Sequence, residues 1–94
     1  MAIIYSTQAK SDMKEIARFI AQNNPLASLK WMDDIIDKCN VLDAFPEIGR
    51  DIGHIRNGIR FLSIKNYLAF YSYQEPNVKI LRVLHGARDW ENLF

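Results

Sequence analysis

The chain has 94 residues, of which 49% are apolar and 24% charged, and its net charge is +1. A chain of this length builds one hydrophobic core, so we expect a single domain spanning residues 1–94. Its longest unbroken apolar run, Tyr67 to Tyr71, is far shorter than the ~20 residues of a membrane-spanning helix. The N-terminus also lacks a basic segment followed by an apolar one. We therefore expect a cytoplasmic protein with no membrane contact.

Charge and cysteine content further limit the class of protein and the kinds of site that it can hold. Residues 1–47 carry five basic and seven acidic side chains, whereas residues 48–94 carry seven and four. A basic C-terminal half is compatible with an acidic partner and equally with an ordinary solvated surface. Cys39 is the single cysteine, which excludes an internal disulfide, and His54 and His85 do not give it the spacing of a structural zinc site. We expect neither a metal nor a cofactor.

The first half of the chain predicts a strand and two helices. Ala2 to Ser6 reads as a short strand, after which apolar residues recur at helical spacing. The apolar residues of this first helix are Ala9, Met13, Ile16, Ala17 and Ile20. Asn24 and Pro25 suit the cap and first position of a second helix, which we predict from Pro25 to Asp43. Its apolar stripe, predicted to face the core, comprises Leu29, Met32, Ile35, Ile36, Cys39 and Leu42.

The second half predicts a connector and a three-stranded meander. The chain from Phe45 to Gly58 shows no sustained period and reads as a loop. The predicted strands are Ile59 to Ile64, Tyr67 to Tyr73 and Val78 to Leu84. In the last strand, simple alternation places Val78, Ile80, Arg82 and Leu84 on one face and Lys79, Leu81, Val83 and His85 on the other. The order β-α-α-β-β-β indicates an α+β domain, a helical hairpin packed on an antiparallel sheet.

Few residues indicate a catalytic or ligand-binding role. The sequence has neither a nucleophile motif nor a phosphate-binding glycine-rich loop, and the carboxylates Asp33, Asp34 and Asp37 lie on the predicted outer face of a helix. Arg60 and Arg82 stand inside otherwise apolar strands. Such an arginine must pair with an acid or face a partner, because an unpaired buried charge is costly. Both interpretations stay open at this point, and for Arg82 or Arg88 the pairing candidates are Asp89 or a helix acid.

Two segments carry a family resemblance. Pro46-x-x-Gly49-Arg50, and the run from Arg82 through His85-Gly86 to Arg88-Asp89, are the most specific parts of a pattern that covers nearly the whole chain in order. In these segments the sequence resembles the ParE branch of the RelE/ParE toxin superfamily. The resemblance implies the same β-α-α-β-β-β fold, which the periodicity predicts independently.

RelE-like members of the superfamily are ribosome-dependent mRNA endoribonucleases. Cleavage of this kind needs a base, an acid and cations around the phosphate. The resemblance would give these roles to Arg60, His85 and Arg88. Two positions depart from the pattern, since Leu68 stands where these enzymes have an arginine and Phe94 where they have a tyrosine. The ribonuclease therefore remains the alternative, and we expect a protein that is not an enzyme.

Resemblance to ParE implies a toxin that poisons DNA gyrase and is neutralised by a ParD-like antitoxin, with DNA contacted only through gyrase or the antitoxin. By analogy the antitoxin would cover both helices and a sheet edge, using Ile16, Ile20, Trp31 and Ile35. Gyrase would meet the basic sheet face and the C-terminal tail, through Arg60, Arg82, Arg88, Trp90 and Phe94. An inactive relative that only binds antitoxin is a third possibility.

Overall fold

The computed structural model describes residues 2–94; Met1, the first residue of the predicted domain, lies outside the described residues. Two helices pack on a five-stranded sheet, which confirms the α+β class. The elements are β1 (Ala2–Tyr5), α1 (Thr7–Ala21), α2 (Pro25–Asn40), β2 (Arg50–Asp51), β3 (Ile59–Ile64), β4 (Tyr67–Gln74) and β5 (Asn77–His85), with 3-10 turns at Val41–Asp43 and Trp90–Leu93. None of the helices in the described chain is long and apolar enough to cross a membrane.

Side-chain caps fix where both helices begin. The Ser6 hydroxyl accepts a hydrogen bond from the Ala9 amide (3.0 Å), and the Asn24 side chain accepts one from Ala27 (3.1 Å). Pro25 is the first residue of α2, where its missing N–H leaves no donor unsatisfied. The α-helix ends at Asn40, earlier than predicted, because the final turn tightens to 3-10 geometry.

The strand order is β1-β5-β4-β3-β2, and the sheet is mixed. The strands β3, β4 and β5 pair antiparallel, as predicted, and β2 also pairs antiparallel with β3, but β1 lies parallel to β5, with Ile3 opposite Val78. The predicted antiparallel pairing therefore does not extend to β1. Strand β2, which pairs with β3 and forms the other edge, lies inside the segment predicted to be a loop.

A register irregularity changes the faces of β5. Phe70 pairs with Arg82 and Tyr71 with Ile80, so Leu81 has no opposite residue. The extra residue shifts the alternation beyond Ile80. Val83 consequently belongs to the same core as Ile80, and Leu84 lies on the opposite face. The predicted alternation is wrong for this end of the strand.

Both faces of the sheet are covered, which gives the domain two hydrophobic clusters. The larger cluster lies between the sheet and the helices and includes Ile35, Cys39 and Leu42, all fully buried. The smaller cluster lies on the other face. It comprises Ile52, Ile59, Phe61, Phe70 and Leu84, with Leu68, Leu81, Trp90 and Phe94 packed against it. A segment predicted as connector thus supplies Ile52 to a core.

Candidate interaction surfaces

An apolar groove runs between the two helices. It encloses about 260 Å3 and is lined by Tyr5, Lys10, Met13, Lys14, Met32 and Ile36, a set named here the helical groove. Leu29, one turn before Met32 on the same helix, is 66% exposed, and Ile36 is 38% exposed. Among the described residues, the charged side chains that line the groove are Lys10 and Lys14, one helical turn apart. The groove can therefore receive apolar side chains beside acidic ones.

Two weakly acidic groups lie in and beneath the helical groove. The Tyr5 hydroxyl is buried and lies beside the Cys39 thiol. Burial raises the pKa of Tyr5 and also that of the fully buried Cys39 thiol. Both groups are consequently neutral near pH 7. The groove offers shape and a basic border, which suit binding.

The four residues predicted to bind antitoxin lie in two different environments, two in the core and two on a half-buried side of α1. Trp31 and Ile35 are 6% and 0% exposed, and Trp31 packs edge-on against Tyr67 at 5.2 Å. Both belong to the core beneath the helices. Ile16 and Ile20 are half-buried and lie on α1.

The exposed apolar residues of α2 went unrecognised in the sequence because its apolar stripe was assigned to the core as a whole. In the structure, Ile35, Cys39 and Leu42 turn inward, whereas Leu29 and Ile36 remain exposed. The stripe spans more of the helix circumference than one core-facing side requires. The width of the apolar stripe was therefore the feature of the sequence that indicated an exposed apolar surface on α2.

Arg82 is held by an acid of α1. Its guanidinium donates two hydrogen bonds to the Asp12 carboxylate, from Nε (2.8 Å) and Nη2 (3.1 Å). The same carboxylate accepts the Val83 amide at 3.0 Å, beyond the point where the pairing of β1 with β5 ends at Ile80. Arg82 therefore has the structural role that pairing with a helix acid would predict.

A second cavity, of about 330 Å3, lies where β5 ends against α1. Glu15, Phe19, Tyr67, His85 and Arg88 are among its lining residues. His85 stacks edge-on with Tyr67 at 5.1 Å, and its Nδ1 accepts the Ala87 amide at 3.0 Å. His85 and Arg88 are thus brought together, with acidic side chains on the opposite wall.

Arg60 lies at the other end of the sheet. Its guanidinium donates to the backbone oxygens of Glu47 (3.2 Å) and Gly49 (2.9 Å) and lies 3.8 Å from the Asp51 carboxylate. Arg60 pairs with Tyr71 and His85 with Tyr67, four residues apart along β4. That spacing corresponds to about 13 Å. Arg60, His85 and Arg88 therefore do not converge on one phosphate-sized site.

The C-terminal aromatics pack on the far face of the sheet. The Trp90 ring lies 5.3 Å from that of Phe70 and 5.5 Å from that of Phe61, and the Phe94 ring lies 4.9 Å from that of Phe70. The five residues predicted to face gyrase are consequently distributed over separate places: the far face, the β5 edge, the β5 end and the loop end of β3. They do not form one surface.

Comparison with known structures defines the class. A chain of the chromosomal ParDE TA system from P. aeruginosa superimposes with a TM-score of 0.76 at 22% identity, covering 90% of this chain and 95% of that one. The fold is thus one found in toxin–antitoxin systems.

Sequence comparison then identifies the family. The family described as ParE toxin of type II toxin-antitoxin system, parDE, matches residues 3–90. Toxin ParE3 of Caulobacter vibrioides is 30% identical over 88 residues, which cover 89% of this chain and 85% of that protein. The chain belongs to the ParE toxin family of type II toxin–antitoxin systems, and the predicted resemblance is confirmed.

Proposed function

We propose that this ParE-type toxin poisons DNA gyrase and is neutralised by a ParD-like antitoxin. The observation that carries the proposal is the family match over residues 3–90, because membership in a parDE system implies an antitoxin partner. The gyrase target rests on the resemblance to the ParE branch. The ribonuclease alternative has less support, since Arg60 is engaged with the 47–51 loop about 13 Å along the sheet from His85.

Supercoiling measurements test the target. Purified protein is incubated with gyrase, ATP and plasmid, and loss of supercoiling and trapped cleaved DNA are scored beside cleavage of ribosome-bound mRNA. We expect gyrase inhibition with intact mRNA. Cleaved mRNA with unaffected gyrase would instead establish the ribonuclease, and no effect in either assay would indicate an inactive relative.

The helical groove is the surface that we assign to the antitoxin. An amphipathic helix laid in it would place apolar side chains against Met13, Met32 and Ile36. Acidic residues on its flank would meet Lys10 and Lys14, whose charges steer association and fix orientation. The ParD-like segment that neutralises this toxin is therefore expected to be acidic and helical.

Charge reversal tests the groove assignment. In the variant Lys10→Glu/Lys14→Glu, two repulsive contacts replace two attractive ones, and we expect the antitoxin Kd to rise at least roughly tenfold. The matched control is Lys38→Glu/Lys79→Glu, which makes the same charge change at exposed positions outside the groove. Titration calorimetry at low salt measures the antitoxin Kd of both double variants. Equal losses in the two variants would show a general charge effect and contradict the assignment.

A further inference from the structure

Helix α2 carries an exposed stripe that mixes aliphatic side chains with one acid. Leu26 and Leu29 are 78% and 66% exposed, and Ile36 is 38% exposed. Asp33 is also exposed and lies between them, four residues after Leu29 and three before Ile36. Residues at this spacing lie on one side of a helix. These four residues are named here the outer stripe, which adjoins the helical groove at Ile36.

The outer stripe has the chemistry that the helical groove accepts. The groove has an apolar floor that includes Met13 and Met32. Its basic border is formed by Lys10 and Lys14. It therefore suits an amphipathic helix with an acid among apolar residues, and the outer stripe presents Asp33 in that setting. Because α2 already forms one wall of its own groove, a second copy of the chain has to supply this helix.

Two copies can satisfy each other at the same time. Helices α1 and α2 form an antiparallel hairpin, in which the Ser28 hydroxyl donates to the Ala17 carbonyl at 2.6 Å. Counting back from Ala17 and forward from Ser28 brings Lys14 level with Met32, and hence with the neighbouring Asp33. A twofold axis parallel to the helices, between two facing helix layers, keeps these levels and places α1 over α2. Lys14 of each copy then meets Asp33 of the other.

The two charges are available for such a contact. None of the ion pairs among the described residues includes Lys14 or Asp33. Lys30, three residues before Asp33, lies 3.7 Å from the Asp34 carboxylate. Arg18, one turn after Lys14, adds to the basic side of α1. Three further charged residues line cavities elsewhere, Glu15 at the end of β5 and Asp37 and Lys38 beside β3.

We propose that the antitoxin-free toxin associates with a second copy of itself through the helix layer. The outer stripe of each copy lies along the helical groove of the other, with Lys14 and Asp33 paired twice. An interface of two helices per copy is small, so we expect a dimer that forms at micromolar concentrations or above. The inference rests on the proposed function in one respect: the groove is the surface assigned to the antitoxin, so antitoxin and second copy exclude each other.

A charge exchange between two full-length variants tests this arrangement. In Lys14→Glu both symmetric contacts become repulsive, and the same holds for Asp33→Lys. Each variant alone should therefore dimerise at least roughly tenfold more weakly than the wild type. In an equimolar mixture, the two substituted positions attract each other at one contact and the two unchanged residues pair at the other. The mixture should consequently dimerise with about wild-type affinity, which sedimentation equilibrium at low salt measures.

Lys79→Glu is the matched control, because it makes the same charge change at an exposed position of β5 and should leave the dimer unchanged. Circular dichroism checks that each variant is folded. If a charge variant does not fold, Leu29→Ala replaces it and should also weaken the dimer.

A wild-type chain that stays monomeric up to submillimolar concentrations would overturn the inference. A dimer that Lys14→Glu leaves unchanged, or a mixture that dimerises no better than its components, would overturn it equally. These measurements contain the toxin alone, so their outcome does not depend on gyrase. The groove assignment is decided separately by the antitoxin Kd of Lys10→Glu/Lys14→Glu.

Discussion

At the scale of single residues, Asp12 closes a strand edge. The pairing of β1 with β5 ends at Ile80, so β5 continues to His85 with part of its edge open. The Asp12 carboxylate accepts the Val83 amide there and binds Arg82 at the same time. An open edge is a site for unwanted strand pairing, and a buried carboxylate with a paired cation removes it. Asp12 is 6% exposed.

We expect Asp12→Ala to lower the free energy of unfolding by about 3 kcal/mol, because it leaves a partly buried guanidinium and a backbone amide without their acceptor. Urea unfolding followed by circular dichroism measures the loss. Asp33→Asn, at an exposed position of α2, serves as the control and should change little. A loss below about 1 kcal/mol in Asp12→Ala would mean that water replaces the carboxylate.

Tyr5 offers a prediction about pH. Its buried hydroxyl lies beside the Cys39 thiol, so Tyr5→Phe should change the free energy of unfolding by less than about 1 kcal/mol at pH 7. Burial also raises the pKa of Tyr5 in the folded state. Above about pH 10 the unfolded chain loses this proton and the folded chain keeps it, so wild-type stability falls as pH rises.

Relative to the wild type, Tyr5→Phe should therefore gain stability above about pH 10, which urea unfolding at pH 7 and pH 10.5 would reveal. Tyr73→Phe, at a half-exposed position, is the matched control. A difference between variant and wild type that stays constant across this range would show that Tyr5 ionises equally in both states.

At the scale of elements, the C-terminal 3-10 helix covers the second core. Trp90 contacts both Phe61 and Phe70, and Phe70 is fully buried beneath it. We expect Trp90→Ala to cost roughly 2 kcal/mol, less than a fully buried tryptophan, and to increase binding of an apolar dye. Leu93→Ala, at a residue of the same element that is 41% exposed, is the control. Unchanged stability and dye binding would show that this helix does not protect the far face.

The sequence predicted the long, periodic elements, both helices and the last three strands, because their burial follows a local repeat. It missed β2, whose two residues are too few to show alternation, and the parallel pairing of β1, which depends on where distant segments meet. The extra residue at Leu81 has no local signature. For the candidate site, pairing with a helix acid was one of the two interpretations left open for Arg82, but Asp12 lies 70 residues away in the chain and could not be singled out.

At the scale of the molecule, the two faces of the sheet are covered by different elements. The helical groove, with its lysines, lies on the helix layer, and the C-terminal 3-10 helix packs on the other face. The domain measures 38 × 30 × 22 Å, small enough that a large partner in the groove could obstruct surfaces elsewhere on the domain. Neutralisation would then require only occupancy of the groove by a segment with enough bulk beside it.

The placement of β1 beside β5 also determines when the chain can complete its fold. Ser6 and Leu81 are joined by a hydrogen bond and are 75 residues apart in the chain. The first strand to be synthesised can therefore pair only after the last strand has been synthesised. Non-local contacts of this kind make folding slow and late. Since β5 lies between β1 and β4, a chain that ends before Asn77 lacks the strand that unites the sheet. Incomplete products of this kind should therefore be inactive as toxins.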